Sequence, residues 1–339
     1  MTKYEILEIE NGGLKIEVCN LGCRINRLFT ADRDGKMADV VLGYDKPSDY
    51  LKHGEYFGAA IGRVCNRIAG VSAKIDGKRY KFYANDATNS LHGGNAGFDR
   101  QIWDMREISG DGYKGVNFHF VSPDMAGGYP GNLDVSIDYK LCDGGMLAIK
   151  YRASTDKPTL CALTNHSYFN LSAGKSKDIL DHRIKINASF FTPIDSKMAP
   201  TGEIASVKGT VLDLRNYKPI RSGVESDSEL MREVGGGYDH NYVLPNSLGE
   251  MVEAASVFDP SSGRLMEVFT DEPGMQFYTG NFISRQKGKN GAIYDKHSGF
   301  CLETQHWPNA ANLEHFPSML LLPNEVYAST TVYRFGCLK

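Results

Sequence analysis

An all-β fold, a large antiparallel sandwich with few short helices, is what this 339-residue chain predicts. Short apolar runs that alternate with period two recur along it, as half-buried antiparallel strands do. They are separated by turn-forming clusters such as Asn11-Gly12-Gly13, Asp32-Arg33-Asp34-Gly35 and Asp76-Gly77. The chain carries 18 Tyr and 16 Phe, an aromatic load that favours strands over helices. No strands alternate with helical patterns, which argues against a parallel nucleotide-binding sheet.

Taken in order, Tyr4–Ile9 and Leu14–Val18 read as a hairpin about Asn11-Gly12-Gly13, followed by a strand at Ala38–Leu42. Val71–Ile75 and Lys78–Tyr83 flank the Asp76-Gly77 turn, and Val116–Val121, Asn132–Leu141, Leu147–Ala153 and Arg183–Ile186 continue the pattern. One short helix is expected over Ser226–Val234, stopped by Gly235-Gly236-Gly237. The glycine clusters at 93-94 and 235-237 do not lie between a strand and a long helix, so a phosphate loop is not expected. With no repeat, low-complexity tract or Pro-rich linker, residues 1–339 read as a single β domain.

Charge is nearly balanced, 38 basic against 41 acidic residues for a net of −3, and no basic tract invites nucleic acid or an anionic membrane. The chain holds no apolar run of about 18 residues that could span a bilayer. Met1-Thr2-Lys3-Tyr4-Glu5 enters a strand pattern without a signal peptide's apolar core. The seven cysteines are odd in number, scattered and free of any C-x-x-C pair, which reads as free thiols in a reducing compartment. The expectation is a soluble cytoplasmic protein, in which the N-x-S triplets at Asn165, Asn170 and Asn187 carry no weight as glycosylation sites. A chain this long buries about three quarters of its unfolded surface and needs neither disulfide nor metal for stability.

The stretch with most chemical interest is Phe300–Asn309, which sets Glu303 in an apolar, aromatic run where an ionised acid is costly unless paired. Other short segments resemble it. Asn66 and Arg67 lie between Gly62 and Gly70, either as part of a surface arginine pair with Arg63 or as holders of ligand oxygens. His92 precedes two glycines that let backbone approach a ligand, although a lone His is more often structural. Thr164–Leu171 interleaves His166, Asn165, Ser167 and Tyr168 with apolar residues, as a binding groove does, or as a strand with a satisfied core His. Asp239 follows a glycine run, and Pro273–Phe282 offers the Gln276 amide beside the Tyr278 ring, a combination that suits sugars. Two His, one Asp and one Glu could instead ligate a metal, but no two are spaced as a local ligand pair, so a metal is not expected.

The set Gly62-Arg63…Asn66-Arg67, Leu91-His92-Gly93-Gly94, Asn165-His166-Ser167-Tyr168-Phe169-Asn170-Leu171, Asp239-His240-Asn241, Gln276–Asn281 and Leu302-Glu303-Thr304-Gln305 resembles the aldose 1-epimerase (galactose mutarotase) family. The likeness runs from about Arg63 to Phe335, with departures at Cys65, Met125-Ala126-Gly127, Trp307, Asn309–Glu314 and Asn324. It implies a β-supersandwich that interconverts the α and β anomers of a hexose, most often galactose or glucose, without cofactor. Opening a pyranose needs a base at the anomeric hydroxyl and an acid at the ring oxygen. By resemblance Glu303 is the base and His166 the acid, with His92 assisting at the ring oxygen. Asn66, Arg67, Asp239 and Gln276 orient hydroxyls, and Tyr278 supplies an aromatic face. Glu303 is then ionised while His166 is protonated, with a neighbouring carboxylate, Glu303 or Asp239, raising the imidazole pKa and a bell-shaped pH profile. A phosphorylated-hexose epimerase would need Arg63, Arg100 or Lys175 at the pocket rim. A non-catalytic sugar binder would not need both proton-transfer groups, and a glycoside hydrolase would pair Asp239 with Glu303. The expected partner is a small-molecule aldose, for a monomer or homodimer, with the choice of sugar left open around Trp307.

Overall fold

The computed structural model describes residues 4–246 and 249–338; Met1–Lys3 of the expected N-terminal lead lie outside them. Its largest element is a nine-stranded sheet, every neighbouring pair antiparallel, in the order Asp104–Gly110, Tyr113–Ser122, Leu133–Cys142, Met146–Thr155, Tyr327–Cys337, Arg264–Thr270, Val252–Phe258, Arg183–Ile186, Lys218–Pro219. Leu133, Val135, Ile137, Tyr139 and Leu141 alternate inward along one strand, so the period-two pattern is the burial pattern. The C-terminal strand Tyr327–Cys337 sits at the middle of this sheet, between segments about sixty and nearly two hundred residues upstream.

A second sheet of five strands runs Ala205–Ser206, Phe190–Phe191, Asp239–Val243, Gly274–Tyr278, Cys301–Gln305. Tyr242, Met275, Phe277 and Leu302 from this sheet enter the same apolar cluster as Val135 and Ile149 of the large sheet and Leu14 and Ile16 of a four-stranded N-terminal sheet. The alternate residues of the five-stranded sheet are left to face elsewhere. They form the site.

Three fully buried arginines tie the loops to the sheets. Arg24 donates to the carbonyls of Phe57 and Asp99, Arg63 to those of Ser122, Pro123 and Pro130, and Arg264 to those of Thr30, Lys36 and Leu171. Each guanidinium supplies donors to backbone acceptors that the irregular connections leave without a ladder partner.

The first hairpin forms as Ile6–Asn11 with Leu14–Cys19. Three expectations change. The helix expected over Ser226–Val234 is confined to Glu229–Glu233, because Ser226 closes the preceding Arg221–Val224 turn through its hydroxyl to the Gly223 carbonyl. The strand expected at Ala38–Leu42 is Met37–Asp39, after which Val41 leaves the sheet to bridge Phe169. The strand expected to reach Tyr83 stops at Lys81. No helix among the described residues is long and apolar enough to cross a membrane.

Candidate active site

Antiparallel register builds one wall. Asn241 lies across from Gln276, which lies across from Glu303; one step along, Asp239 lies across from Tyr278, which lies across from Cys301. Residues two apart on a strand share a face, so these six side chains project together while His240, Phe277 and Leu302 point the other way. Gln276 donates from Nε2 to Asp239 Oδ1 at 2.6 Å, which turns both groups toward a common space.

The opposite wall comes from loops. His166 ends the short strand Thr164–His166, which is held against Ala59–Ile61. Asn66 and His92 both adopt left-handed backbone, φ +57° and +54°, and they lock each other. The Asn66 N–H donates to His92 Nδ1 at 3.1 Å, and the His92 N–H donates to the Asn66 carbonyl at 3.1 Å. Backbone of this kind costs of order 1 kcal/mol per residue and is kept where surroundings enforce it. Arg67 is oriented by Asp86, Nε to Oδ2 at 2.7 Å.

Together these elements enclose a cavity of about 260 Å³. Its lining includes all eight residues singled out from the sequence: Asn66, Arg67, His92, His166, Asp239, Gln276, Tyr278 and Glu303. Glu303 is 2% exposed, and its Oε2 lies 3.6 Å from His166 Nε2 with no hydrogen-bond donor on it among the described residues. The imidazole of His166 stacks with Tyr168 and with Tyr56, at centroid separations of 5.0 and 5.8 Å.

His92, His166 and Glu303 present ligand atoms within 4.8 Å of one another, a set that could approach a cation. The tautomer of His92 argues against it. Because Nδ1 accepts the Asn66 N–H, a neutral His92 carries its proton on Nε2, so the pocket receives a donor and not a metal-binding lone pair.

A model of the aldose 1-epimerase family matches residues 5–334. The chain belongs to the aldose 1-epimerase family. It is 48% identical to galactose mutarotase of Bos taurus over 333 residues, 98% of this chain and 94% of that protein. It is 33% identical to aldose 1-epimerase of Escherichia coli K12 over 335 residues, 98% of this chain and 95% of that one. Among solved structures, a GalM/aldose epimerase homologue from C. elegans superposes with a TM-score of 0.90 at 29% identity, covering 99% of this chain and all of the other. Galactose 1-epimerase from Lactobacillus acidophilus superposes at 0.85 with 25% identity, covering 99% of each chain.

For this epimerase the charge state of the pocket differs from the one expected. A neighbouring carboxylate was expected to raise the His166 pKa; burial instead pushes it down to about 3, only partly offset by its own backbone carbonyl, with Arg24 lowering it further. Burial raises Glu303 well above its ordinary value, Asp239 adds to the rise, and Arg67 opposes it. Burial likewise raises Asp239, and it lowers His92 far enough to keep it neutral. The desolvation cost of each isolated charge outweighs the attraction across the pair. Burial thus acts on both members of the pair in the same sense, disfavouring the ionised carboxylate of Glu303 and the protonated imidazole of His166.

Some residues sit elsewhere than expected. Arg63 does not face the cavity; it is the 2% exposed strut described above. Gly93 is required by backbone packing, since a Cβ there would lie 2.1 Å from the Gly62 carbonyl oxygen at φ +85°, and it is not among the cavity-lining residues. Trp307 packs on Phe316 and donates to the Pro273 carbonyl, outside the cavity lining. Phe282, at the end of the Pro273–Phe282 segment, lines it, as do Tyr56 and Glu55, which no sequence expectation included. The segment Gly54-Glu55-Tyr56-Phe57-Gly58, aromatic and glycine-bounded like the Asn66-Arg67 segment, was the available signal.

Proposed function

We propose that this protein interconverts the α and β anomers of a free aldohexose of the galactose or glucose type by acid–base ring opening and reclosure. The observation that supports this most is the Glu303–His166 pair, 3.6 Å apart in a cavity that also presents Asn66, Arg67, His92, Asp239 and Gln276 beside apolar and aromatic side chains. A hydroxyl-rich ring entering the cavity supplies donors to the bare Glu303 oxygen, which favours the ionised carboxylate and passes the shared proton to His166 Nε2.

From that state Glu303 takes the proton of the anomeric hydroxyl while His166 Nε2–H protonates the ring oxygen, and the C1–ring oxygen bond breaks to give the open aldehyde. Rotation about the C1–C2 bond presents the other carbonyl face. His166 Nε2 then recovers its proton from the attacking hydroxyl, and Glu303 returns one to the new anomeric oxygen. No net proton is gained or lost. His92 Nε2–H is a fixed donor beside the ring oxygen, while Asn66, Arg67, Asp239 and Gln276 orient hydroxyls and Tyr278 covers a C–H face.

A phosphorylated hexose finds little support. Arg67 is the one cationic side chain among the lining residues; Arg63 is internal, Arg100 donates to the Leu51 carbonyl, and Lys175 pairs with Asp32. A cavity of about 260 Å³ also favours a monosaccharide over a disaccharide. We further infer one domain, because all three large sheets feed one apolar cluster, and a reducing, cytoplasmic setting, because all seven cysteines are free thiols.

The test is polarimetry of freshly dissolved α-anomers of galactose, glucose, xylose, arabinose and glucose 6-phosphate. Acceleration for galactose or glucose is expected, with glucose 6-phosphate unaffected. A protein that leaves every free aldose at its spontaneous rate does not have this function.

A further inference from the structure

We propose that the Cys301 thiol is a positioning residue for the reaction: its Sγ accepts a hydrogen bond from His166 Nδ1–H and so reserves Nε2 for proton exchange with the pocket. The inference rests on the anomer interconversion proposed above.

Geometry gives each imidazole nitrogen one side-chain neighbour. Cys301 Sγ lies 3.5 Å from Nδ1, and Glu303 Oε2 lies 3.6 Å from Nε2. Both neighbours come from one strand, two residues apart, and therefore project to the same side. Tyr168 and Tyr56 both stack near-parallel to the ring, at interplanar angles of 20° and 24°, which restrains the rotation that would exchange the two nitrogens. Glu303, His92, Tyr56, Tyr168, Tyr278 and Arg24 are the other titratable groups around the ring, and none of them is hydrogen-bonded to Nδ1; besides Cys301 Sγ, the ring has the His166 backbone carbonyl as an acceptor.

The reaction sets a requirement on Nδ1. In each direction Nε2 gives one proton and takes one back, which is possible only if Nδ1 keeps its own proton throughout. A neutral ring protonated on Nε2 could not accept from Glu303. A histidine is commonly held in such a state by a carboxylate or carbonyl on Nδ1, and a carboxylate also stabilises imidazolium and weakens it as an acid. A thiol is a weak, uncharged acceptor. Burial keeps Cys301 in the thiol form, with Glu303 and Asp239 opposing its ionisation. The ring is thereby oriented without becoming a weaker acid, which suits a proton bound for a poorly basic ring oxygen.

The experiment is ¹⁵N NMR of histidine-labelled protein, with His166 assigned by its loss in H166N, together with kinetics of C301A and C301S. In the ligand-free wild type, neutral His166 is expected to be protonated at Nδ1. C301A should move that proton partly or wholly to Nε2 and lower kcat about tenfold or more while KM changes about twofold at most. C301S, which restores an acceptor, should recover the Nδ1 tautomer and most of kcat. An Nε2-protonated wild type overturns the inference, as does a C301A that keeps both the tautomer and kcat. If C301A fails to fold, the wild-type spectrum alone decides. Absence of mutarotation in the wild type would sink the proposed function and leave the tautomer to be read independently.

Discussion

Replacing Glu303 by Gln keeps the shape of the side chain and removes its ability to take a proton. Mutarotation is expected to fall by about 10² to 10⁴ in kcat, with sugar affinity changed only a few-fold, measured by polarimetry and by equilibrium titration. His166→Asn should cut kcat far more than it weakens KM; the reverse split would make His166 a binding group. The pH profile of kcat/KM should be a bell from the pair. On the acid side activity is lost when the imidazole of a pocket already holding a protonated Glu303 takes up a second proton, and burial places that limb far below the ordinary imidazole range, near 3. On the alkaline side it is lost when the shared proton leaves, and burial places that limb above the ordinary carboxylate range. Initial rates over about pH 3 to pH 9 test this; an acid limb near 6.5 would contradict it. Asp86 lies outside the cavity lining yet holds Arg67, so Asp86→Asn should raise KM with a smaller change in kcat.

Between residues and the whole fold, it is the loops that demand explanation. The two triplets Asn165-His166-Ser167 and Asn170-Leu171-Ser172 are local turns. In each the Asn Oδ1 accepts both the backbone N–H and the hydroxyl of the Ser two residues on, which fixes the backbone on both sides of His166 and Leu171. Both asparagines are buried, so their sequence signature is structural. Arg63 holds two connections at once through carbonyls at Ser122, Pro123 and Pro130. Arg63→Met should destabilise the protein by about 3 kcal/mol, because those acceptors lose their partner in a buried setting, as denaturant unfolding will measure. A loss under about 1 kcal/mol would mean that water replaces the guanidinium.

At the scale of the molecule, buried histidines link stability to pH. His182 is 1% exposed, and its Nε2 accepts the Leu171 N–H at 3.0 Å, so it is held neutral. Burial lowers its pKa to about 4, against a partial lift from Asp259, Asp178 and Asp181. A depressed histidine contributes stability that is present above its unfolded pKa, about 6.5, and lost as pH falls through about 4. The gap corresponds to roughly 3 kcal/mol when fully expressed. Urea unfolding at about pH 7 and about pH 5 should show wild type losing stability relative to His182→Asn across that interval; parallel curves would refute the linkage.

Composition and periodicity were enough for the all-β class, the first hairpin and the long strands Leu133–Cys142 and Met146–Thr155, because those strands bury one face and largely alternate accordingly. The family resemblance carried by the motifs was enough to name the eight cavity residues, where each segment by itself left a structural reading open. Sequence could not place Arg63, Gly93 or Trp307, each of which carries site-like chemistry but is consumed by packing or by backbone acceptors from distant segments. Nor could it place Tyr56, brought to His166 by the Thr164–His166 and Ala59–Ile61 pairing. The proton balance of Glu303 and His166 was likewise beyond it. A residue's identity sets its ordinary pKa, but the desolvation that reverses the expected charges arises only when strands and loops distant in the chain close over the same small cavity.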